Sequence, residues 1–465
     1  MKLYNIEFEI KNKPVLDEGF IPLHKFNQAF LAGATKPLAI AVERNNGYIY
    51  VYDTFIREGS EYSEANKFYA ERMVKAILYC VGGYKITVCG DNNIAEYIKT
   101  VYSPGGARAF DYQLMGRVYE KNIEVHSAAY SDKPAAVDSS NPVGRNLDGC
   151  RIGFDAGGSD RKVSAIIEGE TVYSEEVVWY PKVTEDPEYH YNEIVSAFKT
   201  AASKMPRVDA IGISSAGIYI DNRTMIASLF IKVPDDKFDK YVKDIYIRAA
   251  KAIGEDIPVE VCNDGDVTAL AGAMSLDDTN ILGIAMGTSE AGGYVDKNGN
   301  ITGWLNELAF VPCDAQENAS LDEWSGDIGC GVKYFSQDAA IKLAPKLNIQ
   351  LDENLSPGDK LSIIQKMTDD KGDYINGVEK IYETIGAYLG HTLAFYSVFY
   401  DSKHVLLMGR VTSGKGGEII VETAKKVLKE EYPETAAKIN LQLPDEKSRR
   451  VGQSIAAASL PKTKK

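Results

Sequence analysis

Four apolar runs in this chain each end in a turn that is rich in glycine, hydroxyl and carboxylate residues. The runs are "RIGF", "VEVC", "ILGIAM" and "HVLLM", and they are followed by "DAGGSD", "NDGD", "GTSEAGG" and "GRVTSGKGG". Stretches with apolar residues at helical spacing lie between them, so the pattern predicts an α/β protein with open sheets. Ligands of such sheets bind outside the carboxyl ends of the strands. The chain is therefore predicted to gather these turns around one ligand.

The size and charge of the chain exclude several other classes of protein. Its 465 residues suffice for two or three domains with buried cores. The net charge of −14 argues against a nucleic-acid-binding surface, because phosphate backbones require basic patches. No apolar run reaches about 18 residues, so we expect no transmembrane helix and no membrane partner. The N-terminus alternates like a strand and lacks the apolar core of a signal peptide.

The cysteines show neither metal-site nor disulfide spacing. They are Cys80, Cys89, Cys150, Cys262, Cys313 and Cys330. Reduced thiols in a cytoplasmic protein are the expectation for cysteines scattered in this way.

The clearest break in the chain is the segment 127–149, which is rich in Ser, Pro, Asp and Asn and has no apolar period. It is predicted to be a linker or a long surface loop. Residues 1–126 are predicted to form a mixed α/β domain with a hairpin around Asn45, Asn46 and Gly47. We find no sequence pattern in this domain that indicates a chemical function.

The residue types in the turns are those that hold a nucleoside triphosphate and its metal. Glycine lets backbone N–H groups approach phosphate oxygens, and a hydroxyl adds a donor. A carboxylate can hold Mg²⁺ that bridges phosphates. The turns match neither the P-loop nor the dinucleotide-binding pattern. For residues 155–162 the alternative is a tight β-hairpin in which aspartate and glycine only form the turn.

Asn263 and Asp264 follow a buried strand and begin a helix. An ionised Asp264 can accept the proton of an alcohol that Asn263 holds, which is a general-base arrangement for phosphoryl transfer. The alternative is a helix N-cap, for which Asn and Asp are preferred. Both roles can hold at once.

Taken in order, these motifs resemble those of the ROK sugar kinases, a family of repressors, open reading frames and kinases in the actin/hexokinase ATPase superfamily. "IGFDAGGSDRKVSAII" is similar to the first phosphate loop, "VCNDGDVTALAGA" to the catalytic segment, "MGTSEAGG" to the second phosphate loop and "HVLLMGRVTSG" to the adenosine segment. The resemblance implies a glucokinase-like α/β fold with two actin-like (ribonuclease H-like) lobes, residues 150–260 and 261–465. It further implies ATP, Mg²⁺, a small-molecule sugar and a homodimer.

The resemblance also implies roles for individual residues. Asp264 is the implied catalytic base, and the implied sugar contacts are Asn263, Glu307 and Gly217. The residues implied to bind ATP and its metal are Asp155 (Mg²⁺, through the phosphates), Gly157, Gly158, Ser159, Gly287, Thr288, Ser289 and Gly409. Lys162 lies nearby on the next strand and is expected to be solvated.

The chain departs from the family pattern in the phosphate and adenosine segments. Ser289 and Ala291 stand where the second phosphate loop has glycine, and Arg410 stands where a second glycine is usual. Glu290 is expected to bring negative charge close to the bound phosphates.

It departs further where many members of the family bind zinc. Phe310 stands in place of a histidine, and Glu323 and Ser325 stand in place of cysteines, which leaves Cys330 alone. One thiolate cannot complete a tetrahedral zinc site, so no structural zinc is predicted.

Three functions are compatible with these motifs. The first is an ATP-dependent carbohydrate kinase. The second is a non-catalytic or regulatory homologue that binds a sugar or a nucleotide, which the altered loops and the added N-terminal domain favour. The third is another ATPase of the superfamily, such as an activator ATPase or an acid kinase, because the spacing from Asp155 to Lys162 also suits that branch. No basic recognition helix is apparent, so the repressor branch is not expected.

Overall fold

The structure is a computed structural model that describes residues 1–138, 143–369, 377–444 and 452–463. Three sheets of four or five strands, flanked by helices, account for most of these residues. The fold is α/β, as the alternation of apolar periods predicts.

The N-terminal region, residues 1–128, is built on a sheet in the order β4-β3-β5-β6. Its elements are β1 Lys2–Leu3, β2 Ile6–Glu7, α1 Leu23–Leu31, β3 Lys36–Glu43, β4 Ile49–Ile56, α2 Ser63–Cys80, β5 Lys85–Cys89, α3 Asn92–Val101, α4 Ala109–Tyr119 and β6 Glu124–Ala128. β3 and β4 pair antiparallel on either side of a turn at Asn45–Gly47, which confirms the predicted hairpin.

The first lobe, residues 150–263, contains a mixed five-stranded sheet in the order β13-β10-β7-β8-β9. Its elements are β7 Cys150–Ala156, β8 Asp160–Ile167, β9 Glu170–Val178, α5 Pro187–Ala202, β10 Ala210–Ser215, β11 Ile218–Ile220, β12 Arg223–Ile226, α6 Asp235–Lys237, α7 Ile245–Lys251 and β13 Val259–Asn263. β7, β8 and β9 are antiparallel, whereas β7, β10 and β13 are parallel. The carboxyl ends of the three parallel strands therefore meet at one edge.

The second lobe, residues 264–442, contains a sheet in the order β15-β14-β16-β17. Its elements are α8 Asp264–Leu276, β14 Ile281–Met286, β15 Glu290–Val295, α9 Gln337–Leu343, α10 Pro357–Asp369, α11 Glu379–Tyr396, β16 His404–Met408, α12 Gly414–Glu431, α13 Pro433–Lys438 and β17 Asn440–Gln442. Helix α14, Gln453–Ala458, returns from here to pack on the first sheet.

Small residues make that return possible. A Cβ on Gly153 of β7 would overlap the carbonyl oxygen of Ser454, and one on Gly212 of β10 would overlap that of Ala457. The backbone of α14 therefore lies directly on the strands. Because α14 also contacts α8, the C-terminal segment joins the two lobes.

The N-terminal region shares one hydrophobic core with the second lobe. Phe20, for example, packs on Tyr334 and on Tyr388 of α11, with ring centroids 5.7 Å and 4.6 Å apart. Its contacts with the first lobe include ion pairs from Glu120 to Arg223 and Lys243 at 2.8 and 2.9 Å. The apolar Ile218 of the first lobe also belongs to this core. The region is thus joined to the second lobe by an extensive core and to the first lobe by a smaller apolar contact and by surface pairs.

The predicted linker is attached to the protein at several points among its described residues. Val137 pairs with Ile49 of β4, and the backbone N–H of Gly144 donates to the carbonyl oxygen of Leu460. Residues 139–142 of this segment lie outside the described ranges. The domain boundaries at residues 126, 149 and 260 stay predictions; the last of them lies within β13, all of whose residues pair in the first sheet.

No helix in the described ranges has the length and apolar character needed to cross a membrane.

Candidate active site at the carboxyl ends of the first sheet

The carboxyl ends of β7, β10 and β13 lie side by side. Ser214 of β10 is level with Asp155 of β7 on one side and with Cys262 of β13 on the other. The next register pair brings Asn263 to the same edge. Two of the predicted segments, which are more than 100 residues apart in the chain, are thereby brought together as expected for strand ends in a parallel sheet.

Asp264 lies close enough to Asp155 for its charge to influence the protonation of Asp155. Burial raises the pKa of Asp155 to about 6, a hydrogen bond with Ser214 opposes the rise, and the charge of Asp264 adds to it. Burial also raises the pKa of Asp264, against backbone hydrogen bonds and the positive charge of Lys182. The edge therefore carries two carboxyl groups whose protons are held more tightly than in water.

Asn263 is the N-cap of α8. Its Oδ1 accepts from the backbone N–H of Gly265 at 2.7 Å, and its Nδ2 donates to the carbonyl oxygen of Gly217 at 2.7 Å. The capping role considered for this segment is confirmed. Asp264 is the first residue of the helix, and its Oδ1 also accepts from the Gly265 N–H, at 3.0 Å.

Gly217 has a backbone role at this point. Its φ is +141°, a region that favours glycine, and a Cβ there would overlap the carbonyl oxygen of Ile226. This conformation presents the Gly217 carbonyl to Asn263, and it brings the loop after β10 beside the capped helix.

Glu307 faces the same group of carboxylates. Burial raises the pKa of Glu307 to about 7, and the charges of Asp264 and Asp266 add to the rise. Asp266 is itself buried and accepts from the backbone N–H of Tyr294 at 3.1 Å and from Nδ2 of Asn306 at 2.8 Å. Asp266 was not among the predicted site residues, although the "NDGD" spacing places it one residue beyond Gly265 on α8.

Gly157, Gly158 and Ser159 form the first turn, which joins β7 to β8 as a hairpin. The hairpin alternative is therefore correct as a description of the backbone. A Cβ on Gly157 would lie 2.6 Å from the carbonyl oxygen of Asp160, so the turn is closed tightly. Gly158 and Ser159 are exposed, and the Ser159 hydroxyl donates to Asp160 Oδ2 at 2.9 Å.

Gly287, Thr288 and Ser289 form the second turn, between β14 and β15. Thr288 and Ser289 are exposed. The backbone N–H of Gly287 donates to the carbonyl oxygen of Ser289 at 2.9 Å, so this donor is used within the turn. The hydroxyl of Thr288 and the remaining backbone N–H groups are what this turn presents to solvent.

The expectation for Glu290 is wrong. Glu290 is 3% exposed, and its Oε1 accepts from the hydroxyl of Tyr396 at 3.1 Å. As the first residue of β15 its side chain points into the core, and burial raises its pKa to about 8. Glu290 is therefore neutral near pH 7 and brings no charge to the second turn.

Gly409 and Arg410 lie beside a cavity of about 800 Å³. Gly409 has φ +95°, and a Cβ there would overlap the carbonyl oxygen of Met286, so glycine lets β16 end against β14. Nη2 of Arg410 donates to Ser362 Oγ at 3.1 Å, which directs the guanidinium toward α10. The wall also contains Thr268, Gly272, Thr412, Leu443 and Gln453.

A smaller cavity of about 160 Å³ has Asn263 in its wall and is lined by all three parts of the molecule. The first lobe contributes Gly217 and Asn263, the second lobe Asp266 and Trp304, and the N-terminal region Arg44. The N-terminal region therefore forms part of the wall of a cavity that also contains two predicted sugar-binding residues.

The segment that corresponds to the family's zinc cluster is held by other interactions. The buried Cys330 places its Sγ 3.6 Å from Asp327 Oδ2, while Ser325 binds Asp322 and Glu323 pairs with Lys333 at 2.7 Å. Asp327 receives ion pairs from three cations of the N-terminal region, Arg72, Lys75 and Arg108, at 3.0, 2.9 and 2.6 Å. No cluster of metal-binding side chains is found among the described residues.

Comparison with known proteins gives no family model and no curated protein that matches the sequence. Solved structures do match. One is a ROK hexokinase from Thermus thermophilus, with a TM-score of 0.51 and 17% identity over 67% of this chain and 97% of that chain. Another is a ROK family transcriptional regulator, a homologue of the E. coli MLC protein, with a TM-score of 0.50 and 17% identity over 68% of this chain and 79% of that chain. Over about two thirds of its length, the chain has the fold seen in these ROK proteins, and an α/β region precedes that part.

Proposed function

We propose that the protein is a sugar kinase that transfers the γ-phosphoryl group of ATP to a sugar hydroxyl. The observation that carries the proposal is that Asp155 and Asp264 lie together at one edge of the first sheet and that Glu307 lies within reach of the charge of Asp264. Placing three buried carboxyl groups close together costs free energy of folding. Groups of this kind, with raised pKa values, are typical of sites that transfer protons or bind metals.

Asp264 is the proposed base. Asn263 and Glu307 hold the sugar, and the acceptor hydroxyl loses its proton to Asp264 while its oxygen attacks the γ-phosphorus. The bond from that phosphorus to the bridging oxygen of ADP breaks, so the products are a sugar phosphate and ADP. A base with a raised pKa is better matched to this transfer than an ordinary aspartate. Catalysis otherwise consists of positioning and charge stabilisation.

The nucleotide is proposed to lie across the two turns. Gly157, Gly158 and Ser159 would donate to the phosphates from one side, and Thr288 and Ser289 would donate from the other. Gly287 would shape the second turn, because its own N–H is bonded to Ser289. The adenosine would occupy the cavity of about 800 Å³ beside Gly409. Bare backbone donors at both turns suit a polyanion.

Asp155 fits a magnesium site of the kind found in nucleotide enzymes. Its carboxylate lies at a strand end beside the first turn, and Mg²⁺ commonly takes only one or two carboxylates together with phosphate oxygens. When bound, the metal would neutralise charge on the phosphates. The protein side of the site would be Asp155 alone among the predicted residues.

The test is release of ADP in the presence of Mg-ATP and each member of a broad panel of monosaccharides. At least one sugar should stimulate release, and Asp264→Asn should lower kcat by about 10²-fold or more. Asp277→Asn, at the exposed C-terminal end of the same helix, is the matched control and should keep full activity. A panel in which no sugar stimulates ADP release would contradict the proposal.

A non-catalytic, regulatory sugar-binding protein is the second candidate. A ROK transcriptional regulator matches the fold as well as the hexokinase does, and the second turn uses the Gly287 N–H internally. Calorimetry separates the candidates, because sugar binding without Mg-ATP binding favours the regulator and tight Mg-ATP binding favours the kinase.

We also propose that the protein acts as a cytoplasmic homodimer. Light scattering coupled to gel filtration would give the mass, and a monomer of 51.1 kDa at all concentrations would contradict the dimer.

A further inference from the structure

The chain between β9 and α5 is fastened to the first turn. The indole Nε1 of Trp179 donates to the carbonyl oxygen of Gly157 at 2.8 Å, and the backbone N–H of Trp179 donates to that of Ser159 at 3.1 Å. Trp179 is 1% exposed. The segment that follows it therefore has a fixed position relative to the proposed phosphate-binding turn.

A buried histidine holds the same segment from the other side. The ring Nε2 of His190 lies 3.0 Å from the carbonyl oxygen of Pro181, and Nδ1 lies 3.0 Å from that of Asp186. His190 is fully buried on α5. Pro181–Val183 is thus a short helical turn anchored at both ends, and Lys182 is its central residue.

The side chain of Lys182 lies over the first turn. A Cβ placed on Gly158 would lie 2.8 Å from Nζ of Lys182, so the end of this side chain covers the turn at Gly158. The positive charge of Lys182 also acts on Asp264 and opposes the rise in its pKa. Lys182 therefore lies at the turn proposed to hold phosphates and within electrostatic reach of the residue proposed to deprotonate the acceptor.

Lys162, a second lysine near the turn, already forms an ion pair. Lys162 of β8 pairs with Glu176 at 3.0 Å, whereas Lys182 forms no ion pair with any residue in the described ranges. The edge otherwise carries the carboxyl groups of Asp155, Asp160 and Asp264. A triphosphate brought to such an edge requires a positive charge, and a lysine Nζ is a flexible donor suited to phosphate oxygens.

We propose that Lys182 binds the terminal phosphate of ATP at the first turn. The inference rests on the proposed kinase function and adds a residue to it. Its Nζ would donate to oxygens of the γ-phosphoryl group and offset the charge that Asp264 and Asp155 impose there. The residue would thus favour ATP over ADP, because ADP has no γ-phosphate for it to contact.

Calorimetry with AMPPNP and with ADP, each with Mg²⁺, tests this without knowledge of the sugar. Lys182→Ala should weaken AMPPNP binding about tenfold or more, as expected for loss of a charged hydrogen bond, and leave ADP binding within about twofold. Lys182→Arg should restore most of the affinity. Lys232→Ala, an exposed lysine of the same lobe, is the matched control and should bind both nucleotides as the wild type does.

The outcomes separate the two proposals. If the wild type binds neither nucleotide, the proposed ATP site fails together with the role of Lys182. If the wild type binds AMPPNP, two results would overturn only the assignment of Lys182 to the terminal phosphate. In one, Lys182→Ala binds AMPPNP as tightly as the wild type does. In the other, Lys182→Ala loses the same factor of affinity for AMPPNP and for ADP. Because Lys182 is exposed, its replacement is expected to leave thermal unfolding unchanged.

Discussion

At the scale of single residues, Glu290 is a carboxylic acid kept neutral inside the protein. Its pKa is about 8 in the folded state because of burial, against 4.5 for an ordinary glutamate. Between these values the folded protein holds a proton that the unfolded chain has released, so a rise in pH favours unfolding. Glu290→Gln should remove this effect. The wild type should lose on the order of 3 kcal/mol more stability than the variant between about pH 5 and about pH 8, measured by urea unfolding.

Glu96→Gln is the control, since Glu96 is exposed on α3. It should reproduce the pH dependence of the wild type. An unchanged slope in Glu290→Gln would mean that this carboxyl is ionised in the folded protein.

At the scale of elements, the start of α8 combines a cap with a proposed binding residue. Asn263→Ala removes the nearer of two acceptors for the Gly265 N–H, the other being Asp264 Oδ1, and should cost about 1 kcal/mol of stability. Ser336→Ala is a matched change, because the Ser336 hydroxyl caps α9 by accepting from the N–H of Asp338 at 3.1 Å. Denaturant unfolding should show similar losses for both variants, and sugar affinity should fall only in Asn263→Ala. Equal sugar affinity in the two variants would show that Asn263 caps the helix and does not bind the sugar.

At the scale of the whole molecule, two kinds of contact attach the N-terminal region. Asp327 of the second lobe is buried and forms ion pairs with Arg72, Lys75 and Arg108. Burial raises its pKa, but the charges of Arg72 and Lys75 outweigh burial and lower the pKa to about 2. Asp327→Asn leaves these cations without their shared partner and should cost about 3–5 kcal/mol. Glu120 forms exposed pairs with the first lobe, and Glu120→Gln should cost less than about 1 kcal/mol.

Denaturant unfolding of the two variants measures this difference. The N-terminal region and the second lobe should also unfold together, because they share one core. Protection of their amides from hydrogen exchange should therefore be lost in a single step. Loss of protection in the N-terminal sheet well before α11 would contradict the shared core.

Much of the site could be predicted because its signals are local. Asp155 and Asn263–Asp264 each follow an apolar run directly, and parallel strands bring their carboxyl ends to one edge. The hairpin at Asn45–Gly47 has a turn sequence of its own. Glu307 carries no such pattern, and only the resemblance to the ROK kinases pointed to it.

Other features depend on residues that are distant in the chain. Nothing in "WYPKV" marks Lys182, whose position follows from the hydrogen bonds of Trp179 and His190. Glu290 was expected at the phosphates because it adjoins the second turn, but the side-chain alternation of β15 directs it inward.

By itself, the sequence determined the α/β class, the strand-end turns and the residues they carry, because apolar periodicity and turn chemistry act over a few neighbouring positions. The tertiary structure alone decided which charges face the proposed phosphates, which are buried and neutral, and how the N-terminal region is attached. Those properties depend on burial and on partners hundreds of residues away, as Arg72 and Asp327 show. A partner at such a distance has no local signature in the chain.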